Sequence, residues 1–162
     1  RIGADRSRCI RIAASVIRSL THRGLDQPEL HIGRLAAQQA YAEAGLGPED
    51  MDVAELHDAS AMGEIIQAEN LGLVAPGMGG PAAERGEFTL GGRIPVNTSG
   101  GLESKGHPLG ATGIGQIYEL VTQLRGEAGA RQVAGARHAI QENGGGMQGV
   151  EEAAVAIHIL SR

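Results

Sequence analysis

The sequence predicts an α/β fold of βαβαβαββ order, a mixed five-stranded sheet with helices on its faces. Three observations lead there. Short apolar, β-branched runs alternate with segments of helical spacing. The last two strand candidates follow one another across a Gly-rich turn, which makes the sheet mixed. And 162 residues with 41% hydrophobic content suit one domain with its own core, too short for two ordinary ones.

Residues 9–17 (CIRIAASVI) form the first strand candidate, ended by the polar run 18–24. Residues 31–44 predict a helix whose stripe is Ile32, Leu35, Ala36, Gln39, Ala40 and Glu43, with Gly45 as its left-handed C-terminal cap. Pro48-Glu49-Asp50 reads as a turn, and 53–57 (VAELH) as a short strand. Residues 60–70 return to helical spacing through Met62, Ile65, Ile66 and Ala68. Residues 72–92, rich in Gly and Pro and without periodicity, predict a long loop. Residues 94–97 are briefly extended and lead into a Gly-rich run, 100–115. Ile114, Ile117, Val121 and Leu124 then mark an amphipathic helix closed by Gly126. Residues 137–141 and 153–160 (AAVAIHIL) are the closing strands; the last is apolar enough to be buried on both faces.

Composition excludes several functions. Aromatic residues are 2% of the chain, with no Trp, so stacking platforms for single-stranded nucleic acid are missing. The net charge is −5, and the basic residues near the start (Arg1, Arg6, Arg8, Arg11) read as a solvated face, so no nucleic-acid partner is expected. No apolar run approaches the ~20 residues of a membrane span. The one cysteine, Cys9, permits no internal disulfide and fits a reducing compartment; a cytoplasmic location is expected. No signal-peptide pattern is read at the start, and a beginning without Met reads as a fragment.

Chemistry concentrates in residues 97–113, NTSGGLESKGHPLGATG. His107 lies between Gly106 and Pro108, just before a predicted helix start. The helix dipole there favours the neutral ring, which can take a proton or donate to an oxyanion. Taken alone, such a histidine serves equally well as a cap or a core-satisfied ring. His57 ends the second strand, where ligands bind in open α/β sheets; pairing with Asp58 is its plainer explanation. Gly144, Gly146 and Gly149 match G-x-G-x-x-G, but a strand follows where a dinucleotide site needs a helix. Cys9 has no cysteine partner and no H-E-x-x-H occurs, so no metal site is expected.

These residues resemble the thiolase superfamily. An Asn (Asn97) and a Gly-Gly (Gly100-Gly101) precede Gly106-His107-Pro108-x-Gly110-Ala111-Thr112-Gly113, as in its signature. Ser104-Lys105, His57-Asp58, QLRGEAG over 123–129 and Gln132-Val133 look like its sterol-carrier-protein, lipid-transfer branch. The likeness runs from about Cys9 to the end and corresponds to the C-terminal half of a full-length thiolase. Residues 1–162 are therefore expected to form one thiolase C-terminal-like domain without the N-terminal, nucleophile-bearing half.

The resemblance implies two stacked βαβαβαββ halves and chemistry on the carbon–carbon bond of a 3-ketoacyl-CoA. Coenzyme A is then a co-substrate, and no cofactor is bound covalently. His107 would activate the cysteine of the other half, and His57 would complete an oxyanion site. Asn97, Gly106, Gly110, Gly144 and Gly145 would shape the substrate and oxyanion loops. The chain departs from the family where acid/base cysteines belong: Glu142-Asn143 stands before Gly144-Gly145-Gly146, and Ala59 follows His57-Asp58. Glu142 would take over as acid/base, since burial can raise a carboxylate to that task, and Asn143 would donate a hydrogen bond. Cys9 is assigned no role. The resemblance implies a homo-oligomer. Two further readings stay open: a retro-aldolase on steroid side-chain CoA esters, with an OB-fold/zinc-ribbon partner, and a non-catalytic acyl-CoA or lipid binder.

Overall fold

A computed structural model describes residues 8–162; Arg1 and Arg6 of the basic start lie outside the described residues. The strands are β1 (Arg11–Ser19), β2 (Val53–Glu55), β3 (His138–Gly144), β4 (Met147–Gln148), β5 (Glu151–Glu152) and β6 (Ala154–Ser161). The helices are α1 (Ile32–Ala44), α2 (Ala61–Asn70), α3 (Gly79–Glu84), α4 (Gly101–Lys105) and α5 (Thr112–Arg125). Four strands make the main sheet in the order β1-β6-β3-β2, and β4-β5 form a small hairpin. β2 runs parallel to β3, while β6 is antiparallel to both β1 and β3, so the sheet is mixed as expected.

The fifth strand is reduced to one parallel bridge, Ala54 with Val96, at the edge beyond β2. The physical reason is local. Pro95 has no N–H to give a ladder, and Asn97 turns the chain away at φ 51°. Only Pro95 O and Asn97 N remain to pair with Ala54, at 3.0 and 2.8 Å.

Residues alternate between two cores across the sheet. Val155, Ile157 and Ile159 of β6, Ile140 of β3 and Ala54 of β2 face Ile32, Ala36 and Ala40 of α1 and Ala68 of α2. Leu160, Ala139 and Val53 face Leu120 and Leu124 of α5. Each buried Ile or Leu contributes roughly 1.5–3 kcal/mol. The α1 stripe is rotated one residue from expectation: Ala37 and Tyr41 are buried, whereas Gln39 and Glu43 are exposed and bond each other at 2.9 Å. On α5, Ile114 is 74% exposed, and the face on the sheet carries the polar residues Gln116, Glu119 and Gln123 beside the leucines. Sheet-facing amides are tolerated because they are paired: Gln116 Nε2 donates to Glu142 O at 2.9 Å, and Gln141 Nε2 to Gln116 Oε1 at 2.7 Å.

Two helices lie where loops were expected. α3 sits inside the 72–92 segment and α4 inside the Gly-rich run. The first strand begins two residues later than predicted. α2 starts where the sequence placed it, with the Ser60 hydroxyl accepting from Gly63 N at 3.1 Å. Among the described residues, no helix is long and apolar enough to cross a membrane.

Candidate active site

Because β2 and β3 are parallel, their C-terminal ends open on the same rim of the sheet, the position where such sheets bind ligands. His57 follows β2 by two residues. The ladder has stopped there, and side chains take over its backbone: Leu56 N donates to Asn97 Oδ1 at 2.8 Å, and His57 N donates to Glu142 Oε2 at 2.9 Å. Asn97 Nδ2 in turn donates to Glu64 Oε2 at 2.8 Å. Asn97 and Glu142 thus set the path of the backbone that presents His57.

His107 arrives from the other side, on the loop after α4. That loop is tied to β2 twice. Asp58 Oδ1 accepts from Leu102 N at 2.7 Å, and only a glycine at 101 leaves room for it, since a Cβ there would lie 1.9 Å from Asp58 Oδ2. On the opposite face, Lys105 Nζ donates to Ser99 Oγ at 2.5 Å, and Ser99 donates to the buried Glu55 at 2.6 Å. Burial raises the Glu55 carboxyl, an effect opposed by Ser99 and Lys105.

The two clamps bring the His57 and His107 rings edge to face, with centroids 4.8 Å apart and planes at 88°. Their hydrogen bonds assign different nitrogens. The Asn143 amide nitrogen, 3.0 Å from His57 Nδ1, can only donate. His57 Nδ1 is therefore the acceptor, and Nε2 carries the proton. His107 Nδ1 lies 2.8 Å from Thr112 Oγ1, which also stands 3.2 Å from Pro108 O. With the hydroxyl proton on Pro108 O, His107 Nδ1 donates and Nε2 keeps its lone pair. One ring then offers a donor and the other a base. Burial, and next the nearby His107, lower the His57 pKa and keep that ring neutral.

His57, His107, Asn143, Gly144 and Gly145 line one cavity of about 320 Å³, together with Ala59, Leu109, Gly146, Met147 and Glu152. Ala59 thus stands on the cavity wall where the sequence resemblance places a thiol. Glu142 is fully buried and is not in this lining; it is a residue of β3 whose side chain lies on the α1 side of the sheet. Burial pushes its carboxyl up to about 8, with the neighbouring carboxylates Glu152 and Asp58 adding to the rise and the His57 N–H opposing it. Asn97, Gly106 and Gly110 also lie outside the lining, Asn97 as a backbone support and Gly106 (φ 92°) as the turn out of α4. Cys9 is exposed and lies outside it as well. A larger cavity, about 480 Å³ between Arg34, Tyr41, Glu69 and Leu71, holds no histidine.

Glu152 was not singled out in the sequence. Its only sequence signal is a pair of glutamates, Glu151-Glu152, set directly before the most apolar strand. Glu151 is an anchor: it accepts from Thr21 N (2.8 Å), Thr21 Oγ1 (2.7 Å), Arg23 Nε (3.2 Å) and Ile32 N (3.0 Å). Its neighbour Glu152 reaches the cavity.

Comparison with known proteins agrees with this geometry. Residues 19–162 match the family model described as thiolase C-terminal domain-like. The chain is similar to sterol carrier protein 2 of Rattus norvegicus, 56% identical over 108 residues, covering 67% of this chain and 20% of that protein. It is similar to the acetyl-CoA acetyltransferase of Methanothermobacter thermautotrophicus, 50% identical over 127 residues, covering 78% of this chain and 32% of that one. Among solved structures it is similar to "Ltp2-ChsH2(DUF35) aldolase", with a TM-score of 0.77 and 26% identity over 94% of this chain and 39% of the other. The chain therefore spans only about a fifth to two fifths of these relatives. With the family model covering nearly its whole length and the histidine loop in place, this chain belongs to the thiolase C-terminal domain-like family, on its lipid-transfer branch.

Proposed function

We propose that this chain is the histidine-bearing half of a thiolase-type enzyme that works on the carbon–carbon bond of a 3-ketoacyl-CoA. The observation that carries the reading is the edge-to-face pair of His57 and His107 on one cavity, one ring with a free N–H and the other with a free lone pair. In this reading His107 Nε2 takes the proton of a thiol supplied by an N-terminal half. The thiolate attacks the 3-keto carbon, and His57 Nε2–H donates to the oxygen that gains charge. Asn143 holds His57 in the donating tautomer, and Glu142 positions the His57 backbone. Gly144 and Gly145 let the acyl thioester approach the main chain, while Asn97, Gly106 and Gly110 hold the loops. Coenzyme A is a co-substrate.

The N-terminal half is part of the proposal. It is supported by the partial coverage of the relatives and by apolar residues left open around the cavity, Leu109 at 83% and Met147 at 72% exposure. A homo-oligomer is likewise proposed. A retro-aldolase on CoA esters, working with an OB-fold/zinc-ribbon partner, is the second reading. It is favoured by Ala59 at the cysteine position and by the similarity to a structure named an aldolase. A binder of acyl-CoA or lipid without catalysis is the third.

The full-length protein is assayed for thiolysis of a 3-ketoacyl-CoA and for retro-aldol cleavage of a 3-hydroxyacyl-CoA. Thiolysis that falls roughly 10²–10⁴-fold in His107→Ala supports the first reading. Thiolysis unchanged in that variant removes His107 from its role, cleavage of the hydroxyacyl ester alone selects the second reading, and no turnover of either selects the third. Unchanged turnover in Glu142→Gln excludes an acid/base role for Glu142 and leaves it as the support of the His57 backbone.

A further inference from the structure

We infer that Glu152 is the acid/base group that serves the substrate α-carbon in this cavity. The inference rests on the acyl-CoA reading above. Carbon–carbon cleavage leaves an electron pair on the α-carbon, and that carbon needs a proton. His107 is committed to the thiol, and His57 offers only its N–H to the oxyanion. Among the described residues that line the cavity, Glu152 is the one other titratable group.

Its setting suits the task. The side chain is 15% exposed, open to the cavity yet shielded. Oε1 accepts from Gln67 Nε2 at 2.5 Å. Oε2 is buried with no hydrogen-bond partner, and His31 Nε2 stands 3.5 Å away. His31 Nδ1 already accepts from Gly33 N at 3.1 Å, so the proton of that ring sits on Nε2, facing the carboxylate. Gly144 makes the space: a Cβ there would lie 2.9 Å from Glu152 Cγ. One residue earlier, the Glu151 anchor fixes the strand, so the carboxylate is held from both sides.

In the cleavage direction the Glu152 carboxyl O–H bond breaks and a C–H bond forms at the α-carbon, using the electron pair of the broken carbon–carbon bond. The carboxylate that remains takes the proton of the incoming CoA thiol, whose sulfur then attacks the acyl thioester. The cycle returns a protonated carboxyl and needs no other reactant.

The test uses the full-length protein and deuterium exchange at the α-carbon of acetyl-CoA, read by mass spectrometry, beside thiolysis. Glu152→Gln keeps the shape and the oxygen that accepts from Gln67. A loss of exchange of about 100-fold or more, with acetyl-CoA binding by calorimetry within a few-fold of wild type, supports the assignment. Exchange within about threefold of wild type overturns it and leaves the thiolase reading standing. Should Glu152→Gln fail to fold, Glu152→Asp keeps the charge and withdraws it by one methylene; a loss above about tenfold supports the role, and wild-type exchange overturns it. A wild-type protein that neither exchanges nor cleaves removes both the inference and the reading beneath it.

Discussion

Glu142→Gln is expected to make the protein more stable, and by an amount that depends on pH. The Glu142 carboxyl is fully buried, and its pKa is pushed from 4.5 to about 8. A raised carboxyl binds its proton more tightly in the folded state than in the unfolded one. The stability this confers is present below pH 4.5 and is lost as pH rises towards 8. At about 1.4 kcal/mol for each unit of pH, the whole interval is worth roughly 5 kcal/mol, of which about 3 is already lost at pH 7. A glutamine keeps an oxygen to accept the 2.9 Å bond from His57 N and never ionises. The variant should match wild type within about 1 kcal/mol at pH 5, exceed it by about 3 kcal/mol at pH 7, and by close to 5 kcal/mol at pH 8.5. Urea unfolding of both proteins at the three pH values measures this. A gap that stays constant with pH, or a variant weaker than wild type at pH 8.5, refutes the claim that Glu142 is buried as the neutral acid.

Three further outcomes follow from the same contacts. Asn143→Leu removes the donor that holds His57 Nδ1, and kcat should fall about tenfold or more with KM nearly unchanged, read by steady-state kinetics on the full-length protein. Gly101→Ala places a Cβ against Asp58 and a side chain at φ 60°; about 1–2 kcal/mol of backbone strain plus about 1.5–3 kcal/mol for the displaced Asp58–Leu102 bond should appear in urea unfolding, and a loss below 1 kcal/mol contradicts the clamp. Glu151→Ala leaves Arg23 buried without its partner and should cost about 3–5 kcal/mol in the same measurement; an unchanged midpoint contradicts the anchor.

The sequence exposed the parts of the fold that follow from periodicity. α1, α2, α5 and β6 each bury side chains at their own repeat, and Gly45 and Gly126 close their helices at φ 69° and 75°. α3 was hidden because its glycine answers to packing. A Cβ at Gly79 would lie 2.7 Å from Ile65 Cγ2, so the residue that looks like a loop former is there to let two helices touch. The α5 stripe holds at Ile117, Val121 and Leu124 and fails at Ile114, because the first turn of the helix meets β3 through the amide of Gln116 rather than an apolar side chain. At the site, His57 and His107 were legible because loop glycines and strand ends mark such positions. Glu142 and Glu152 were not separable in the sequence, since both are carboxylates beside the same Gly-rich turn. Both face the α1 side of the sheet, on either side of Gly144, and only the folded hairpin decides that Glu142 is sealed beneath while Glu152 meets the cavity.

That hairpin carries an evolutionary consequence. Glu151 and Glu152 are neighbours on β5, so their side chains leave the strand in opposite directions. The bonds that fix Glu151 to Thr21, Arg23 and Ile32 therefore also fix the direction of Glu152. A substitution that releases the anchor turns the cavity carboxylate with it.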